Sequence, residues 1–162
     1  MKSKIKIFIT DCDGCLTDGG MYYDQMGNEL KKFNSKDGKG FELLRNNNIL
    51  TGIITGENTK IVENRAKKIK IEELHQGATN KLEVLKEILE RRNLKFEEVA
   101  YVGDDVNDLE MIKNCGITFA PNDAVDDVLN SVDVVLKKNG GQGAVREAID
   151  YVIKLNSEME MN

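Results

Sequence analysis

Ile7-Phe8-Ile9-Thr10-Asp11-Cys12-Asp13-Gly14-Cys15-Leu16-Thr17-Asp18 is the stretch that decides how this chain folds. An apolar strand ends abruptly in two carboxylates one residue apart, followed by Gly14 and Thr17. In open α/β sheets ligands gather outside the carboxyl ends of strands, so chemistry belongs at this tip. Asp11 and Asp13 are not both buried as charges without a cation to neutralise them. Carboxylates and backbone carbonyls are hard oxygen ligands of the kind that suits Mg²⁺.

Outward from that tip, short apolar runs alternate with amphipathic stretches. Strands are expected over 5–10, 49–55, 99–103, 116–119 and 132–136, the last interrupted by Asp133. Their mostly apolar character suits strands buried on both faces of a parallel sheet. Helical patterns fall at 38–47, 58–70, 80–93, 107–114, 124–130 and 143–155; Leu82, Leu85, Ile88 and Leu89 show the i, i+3, i+4 spacing plainly. The alternation predicts a three-layer, Rossmann-like α/β domain with a central parallel sheet, spanning 1–156, with 157–162 as a C-terminal tail. One segment departs from it. Residues 21–33 read as a β-hairpin closed by a Gly-containing loop, a flap beside the acidic tip with Tyr22 and Tyr23 as its packing residues.

At 162 residues the chain has room for one ordinary core and not for two. A net charge of -5 without a basic stripe speaks against a nucleic-acid partner. No apolar run is long enough to span a bilayer and the start MKSKIKIFIT lacks a signal-peptide plan, so a cytoplasmic protein without a membrane partner is expected. Cys12 and Cys15 form a C-x-x-C. Zinc would need a second ligand pair, for which only Cys115 and His75 remain. A redox pair would open a helix, whereas Asp13 and Gly14 stand between these two. The cysteines therefore read as filling of a strand end and loop, and His75 as a surface or loop residue.

Other elements end in polar groups too. Thr55-Gly56-Glu57 follows the second long strand, and Gly103-Asp104-Asp105-Val106-Asn107-Asp108 follows another. Asn80-Lys81 opens a helix with a cation near its positive end, where it does nothing for the helix dipole. Singly, these are common caps and turns. Jointly, on parallel strands, they converge at one sheet edge with the parts for phosphoryl transfer through an aspartyl phosphate. A carboxylate is the nucleophile, a metal offsets its repulsion from the phosphate, and Thr and Lys hold the non-bridging oxygens. A second carboxylate protonates the leaving alcohol and later activates water. A signalling receiver domain uses similar groups in a different order, with its accepting Asp alone in mid-chain and its Lys last.

These residues resemble the haloacid dehalogenase superfamily. Asp11 to Thr17 match its DxDGxLT motif, Thr55 its second, Lys81 its third and Gly103 to Asp108 its fourth. The resemblance implies Asp11 as nucleophile and Asp13 as general acid/base. It implies Mg²⁺ held by Asp11, the Asp13 carbonyl and Asp104 with Asp105 or Asp108 in support, and phosphate held by Thr55, Gly56 and Lys81. Asp18-Gly19-Gly20, the hairpin, Asp37-Gly38 and Gly140-Gly141-x-Gly143-Ala144-Val145-Arg146-Glu147 look like the capless subgroup acting on 3-deoxy-D-manno-octulosonate 8-phosphate. Close relatives of that subgroup take nine-carbon, sialic-acid-type 9-phosphates. The resemblance further implies homotetramers in which the flap and a neighbour cover the site.

No segment between Leu16 and Thr55, or between Glu57 and Lys81, is long enough for a separate cap domain. Eight-carbon enzymes usually carry Thr-Gly-Arg where this chain has Glu57, and relatives acting on nine-carbon acids carry Thr-Gly-Glu. Glu57 suits hydroxyl or amide donors, and Arg65 two turns on is a candidate for the missing positive charge. This leans toward a nonulosonate 9-phosphate. The glycine-rich turn near the C-terminus reads either as a mobile element reaching a neighbour or as a loop capping the last helix. A non-catalytic assembly module of the same fold, partnered with a sugar-nucleotide synthetase, is the alternative; such a module should have lost acids that this chain keeps.

Overall fold

A computed structural model describes residues 3–161. In chain order, β1 (Ile7–Thr10) leads through a tight turn into a small antiparallel hairpin of β2 (Tyr22–Tyr23) and β3 (Glu29–Leu30). There follow α1 (Ser35–Asn46), β4 (Leu50–Ile54), α2 (Lys60–Lys68), β5 (Glu73–His75) and α3 (Lys81–Arg92). The chain closes with β6 (Val99–Val102), α4 (Leu109–Asn114), β7 (Ile117–Ala120), α5 (Asp126–Leu129), β8 (Val134–Val135) and α6 (Ala144–Glu160). Six strands form one sheet in the order β5-β4-β1-β6-β7-β8, every pairing parallel. The chain moves to one side of β1 through β4 and β5, then crosses to the other side with β6. β1 is therefore flanked by strands entered from opposite directions, and ligands gather at the carboxyl end of such a switch point.

Period-two alternation on buried strands builds two cores. Phe8, Ile53, Ala100, Val102 and Phe119 face one side and meet Phe41, Leu44, Val62 and Ile149 of α1, α2 and α6. Ile7, Ile9, Ile54, Val99 and Tyr101 face the other and meet Leu85, Ile88, Met111 and Val128 of α3, α4 and α5. The first core needs a close helix approach: a β-carbon on Gly40 of α1 would lie 2.8 Å from Ile149 Cδ1 of α6.

Several boundaries differ from the expected ones for local reasons. β5 was not foreseen, because three residues carrying a Glu and a His do not look like a buried strand. α1 starts at Ser35 because Asn34 caps it, its side chain accepting from Lys36 N at 2.9 Å. α6 continues to Glu160, so residues 157–160 extend that helix instead of starting a tail. Tyr22 and Tyr23 are 43% and 57% exposed and do not pack inside the hairpin. Only the hairpin and α1 lie between β1 and β4, and only α2 and β5 between β4 and α3, so no cap domain is inserted.

Candidate active site

Asp11 stands at the end of β1, 6% exposed, with Oδ1 accepting from Cys12 N at 2.7 Å. The chain then turns back on itself, Thr17 N donating to the Cys12 carbonyl at 3.1 Å. Gly14 sits at φ +82° within that turn, a conformation L-residues with a β-carbon rarely adopt. Thr17 Oγ1 accepts from Gly14 N and donates to Asp13 Oδ1, both at 3.2 Å, which fixes the Asp13 carboxylate over the tip.

Lys81, the first residue of α3, reaches across to the same point. Its Nζ lies 3.1 Å from Asp11 Oδ1 and 2.7 Å from Asp108 Oδ1. Burial alone would lower its pKa, but the charges of Asp11 and Asp108 outweigh that and hold the ammonium above its usual value. Asp108 is fully buried and fully used. Oδ1 accepts from Lys81 and from Tyr101 Oη at 2.5 Å, and Oδ2 accepts from Asp104 N at 2.9 Å and Asp105 N at 3.3 Å. It organises the loop after β6 and holds Lys81 beside Asp11. Asp105 is exposed, accepts from Val106 N and lines the cleft.

Asp104 is the second carboxylate that faces Asp11. An oxygen of each, with Cys15 Sγ, lies within a 4.8 Å group. Burial first, then the neighbouring charges, push Asp11 up to about 6 and Asp104 up to about 8. A buried and a half-buried carboxylate in mutual repulsion, beside a carbonyl-bearing turn, fit a hard divalent cation. Cys15 is fully buried, burial drives its thiol pKa well above the ordinary value, and a soft sulfur suits such a hard cation less than the two carboxylates do. Cys12 is likewise buried, and burial first, then the charges of Asp13 and Asp11, raises its thiol pKa as well.

Asp11, Asp13, Thr55, Gly56, Glu57, Asp104 and Asp105 line one cleft of about 290 Å³ at the carboxyl ends of β1, β4 and β6. Asn107 and Gly19 complete its wall. Thr55 is fixed by backbone bonds on both sides, its N–H donating to His75 O and its carbonyl accepting from Ala78 N. Arg65 is not brought there. Its guanidinium donates to Asn34 O at 3.2 Å, stacks on Phe33 at 5.4 Å and lines a separate basic cavity with Lys39, Arg45 and Lys68. α2 turns Arg65 toward the start of α1, so within one chain it adds no charge to the cleft.

Lys31 was not foreseen. It follows β3 on the flap and its Nζ lies 2.9 Å from Asp13 Oδ1, 3.2 Å from Glu29 Oε1 and 3.3 Å from Glu57 Oε2. No motif marks it; the signal available was a Lys pair closing a hairpin that follows the acidic tip. The glycine-rich turn lies just before α6 and is packed in place. Gly140 is buried, and a β-carbon on it would lie 1.9 Å from the Gly14 carbonyl oxygen; Gly141 N donates to Cys15 O at 3.1 Å. The turn is packed against the loop that carries Asp13.

Residues 49–149 match the family model of haloacid dehalogenase-like hydrolases. The chain belongs to this family. The 3-deoxy-D-manno-octulosonate 8-phosphate phosphatases of Salmonella typhi and Escherichia coli are 38% identical over 156 residues, 96% of this chain and 83% of theirs. The crystal structure of the Yersinia pestis phosphatase of that name superposes with a TM-score of 0.92 at 37% identity, covering 97% of this chain and 85% of that one. That of Moraxella catarrhalis, in complex with a magnesium ion, a phosphate ion and a KDO molecule, superposes with a TM-score of 0.92 at 32% identity, covering 98% and 91%. This haloacid dehalogenase-like chain is an enzyme of the phosphoric monoester hydrolase class. Among the described residues no helix is long and apolar enough to cross a membrane.

Proposed function

We propose that this phosphatase removes the terminal phosphate of a 3-deoxy-2-ulosonic acid, with Asp11 as nucleophile and Asp13 as general acid/base. The observation that carries the reading is the Asp11–Lys81–Asp108 array: a buried carboxylate at a strand tip, pinned by a buried ammonium that a second carboxylate holds in place. An oxygen of Asp11 attacks phosphorus in line with the ester oxygen, the ester P–O bond breaks, and Asp13 gives its proton to the departing alkoxide. Asp13 then takes a proton from water, which cleaves the aspartyl phosphate and returns Asp11. Lys81 and the Thr55–Gly56 turn receive the phosphoryl oxygens. A divalent cation, Mg²⁺ in our reading, held by Asp11, the Asp13 carbonyl and Asp104, would offset the repulsion between carboxylate and phosphate.

The named relatives support an eight-carbon acid, and Glu57 in the position after Thr55-Gly56 supports a nine-carbon one. The acids of the site are all present, which speaks against a non-catalytic module. Met21, Tyr22, Tyr23, Met26 and Leu30 leave an apolar patch on the flap, which supports a homotetramer whose neighbours cover an otherwise open cleft. Three free thiols suit the reducing cytoplasm. The chemical assignment is tested by intact mass. Asp13→Ala incubated with substrate should trap one phosphoryl group on Asp11, and Asp11→Asn should trap none and turn nothing over. Near-normal turnover by Asp11→Asn would overturn the mechanism.

A further inference from the structure

Lys31 sits on the flap between exposed neighbours, yet only 2% of its own side chain is exposed. Its three ammonium protons meet three carboxylates, those of Asp13, Glu29 and Glu57, one donor for each. Burial alone would lower its pKa, but the bonds to Asp13 and Glu29 and the surrounding charge reverse that, so Lys31 stays cationic. Asp13 Oδ1 is engaged twice, by Lys31 at 2.9 Å and by Thr17 Oγ1 at 3.2 Å. Among the described residues Asp13 Oδ2 and Glu57 Oε1 accept no hydrogen bond, and both side chains line the cleft.

We propose that Lys31 is a positioning residue for the leaving-group half of the reaction. It clamps Asp13 and Glu57 into one unit that offers a free oxygen of each to the sugar side of the scissile bond, and it ties that unit to the flap. Without it, three carboxylates converge with no counter-charge and repel one another toward solvent. The proposal rests on the reading of Asp13 as the acid. An alkyl phosphate expels a strongly basic alkoxide and depends on a well-placed acid, an effect of about 10²–10⁴-fold. An aryl phosphate expels a weakly basic phenolate and depends on it far less.

The test compares kcat and KM with Mg²⁺ for two substrates. One is the sugar-acid phosphate, octulosonate 8-phosphate or N-acetylneuraminate 9-phosphate, that the wild type turns over faster; the other is p-nitrophenyl phosphate. Lys31→Met should lower the alkyl-to-aryl ratio of kcat by about tenfold or more, Lys31→Arg should restore part of it, and Asp13→Asn should lower it further. An equal loss on both substrates, or a rise in KM with kcat unchanged, would overturn the positioning role. If Lys31→Met lowers nothing while Asp13→Asn lowers the ratio, Lys31 is wrong and the acid assignment stands. If Asp13→Asn also leaves the ratio intact, the acid assignment itself fails. Should Lys31→Met not fold, Lys31→Gln is read by the same ratio.

Discussion

Gly14 and Asp104 are in van der Waals contact across the site: a β-carbon on Gly14 would stand 1.8 Å from Asp104 Oδ2. The glycine thus lets the tip of β1 turn at φ +82° and lets the loop after β6 come close enough for Asp104 to face Asp11. Gly14→Ala violates both conditions at once. We expect a fall in kcat of about 100-fold or more, in line with misplacement of reacting groups by about an ångström. Steady-state assays and circular dichroism on the same sample check that the fold survives while activity does not.

Asp108 and Tyr101 should separate sharply by mutation. In Asp108→Asn the amide nitrogen replaces an oxygen that accepts from Asp104 N and Asp105 N, so donor meets donor, and Lys81 loses its closer counter-charge. Breaking a buried ion pair in this way costs about 3–5 kcal/mol. Tyr101→Phe removes one donor from an oxygen that still has Lys81, a cost of about 1 kcal/mol. Urea unfolding of the two variants should rank them in that order.

Asp37 and Glu73 give the stability opposite slopes with pH. Asp37 accepts from Arg146 N, but its Oδ2 is buried without a partner among the described residues, and burial raises its pKa to about 6. With the folded pKa above the unfolded one, the neutral form is favoured, so stability is lost as pH rises from about 4 through about 6. Asp37→Asn should therefore gain on the wild type over that window, by about 1–3 kcal/mol at pH 7.5. Glu73 is bonded by Arg91, with Arg92 and His75, and held down at about 2. Its contribution is present above its usual pKa and lost as pH falls toward about 2. Glu73→Gln should cost about 1–2 kcal/mol at neutral pH, because Arg91 is half exposed and partly screened, and little near pH 2. Chemical unfolding across pH checks both signs.

Mg²⁺ should raise the melting temperature of the wild type, since a ligand at 100 times its Kd adds about 2.7 kcal/mol. A chelator should reverse the shift and abolish turnover. Asp104→Asn should remove most of the shift, and Asp105→Asn, whose carboxylate is exposed and bound to Val106 N, much less.

The sheet and the main site were legible in the sequence because each signal is local: an apolar strand, then its polar ending, at Asp11, Thr55 and Asp104. Lys81 was legible from its odd place at a helix start. What escaped depended on tertiary direction. Arg65 lies on the expected helix, but which way α2 turns it follows from packing against Phe33 and Asn34. Lys31 owes its role to the flap folding back over Asp13, and Gly140 to a contact between residues over a hundred positions apart, as with Gly14. β5 was missed because Glu73 is buried by Arg91 and Arg92, which come from α3.

Phosphate release with and without Mg²⁺ from octulosonate 8-phosphate, N-acetylneuraminate 9-phosphate and glucose 6-phosphate tests the central claim most directly. The account predicts Mg²⁺-dependent turnover with one of the two ulosonates preferred over the hexose phosphate by about 100-fold or more in kcat/KM, a discrimination of about 2.7 kcal/mol. Equal turnover of all three, or turnover of the hexose phosphate alone, would contradict it.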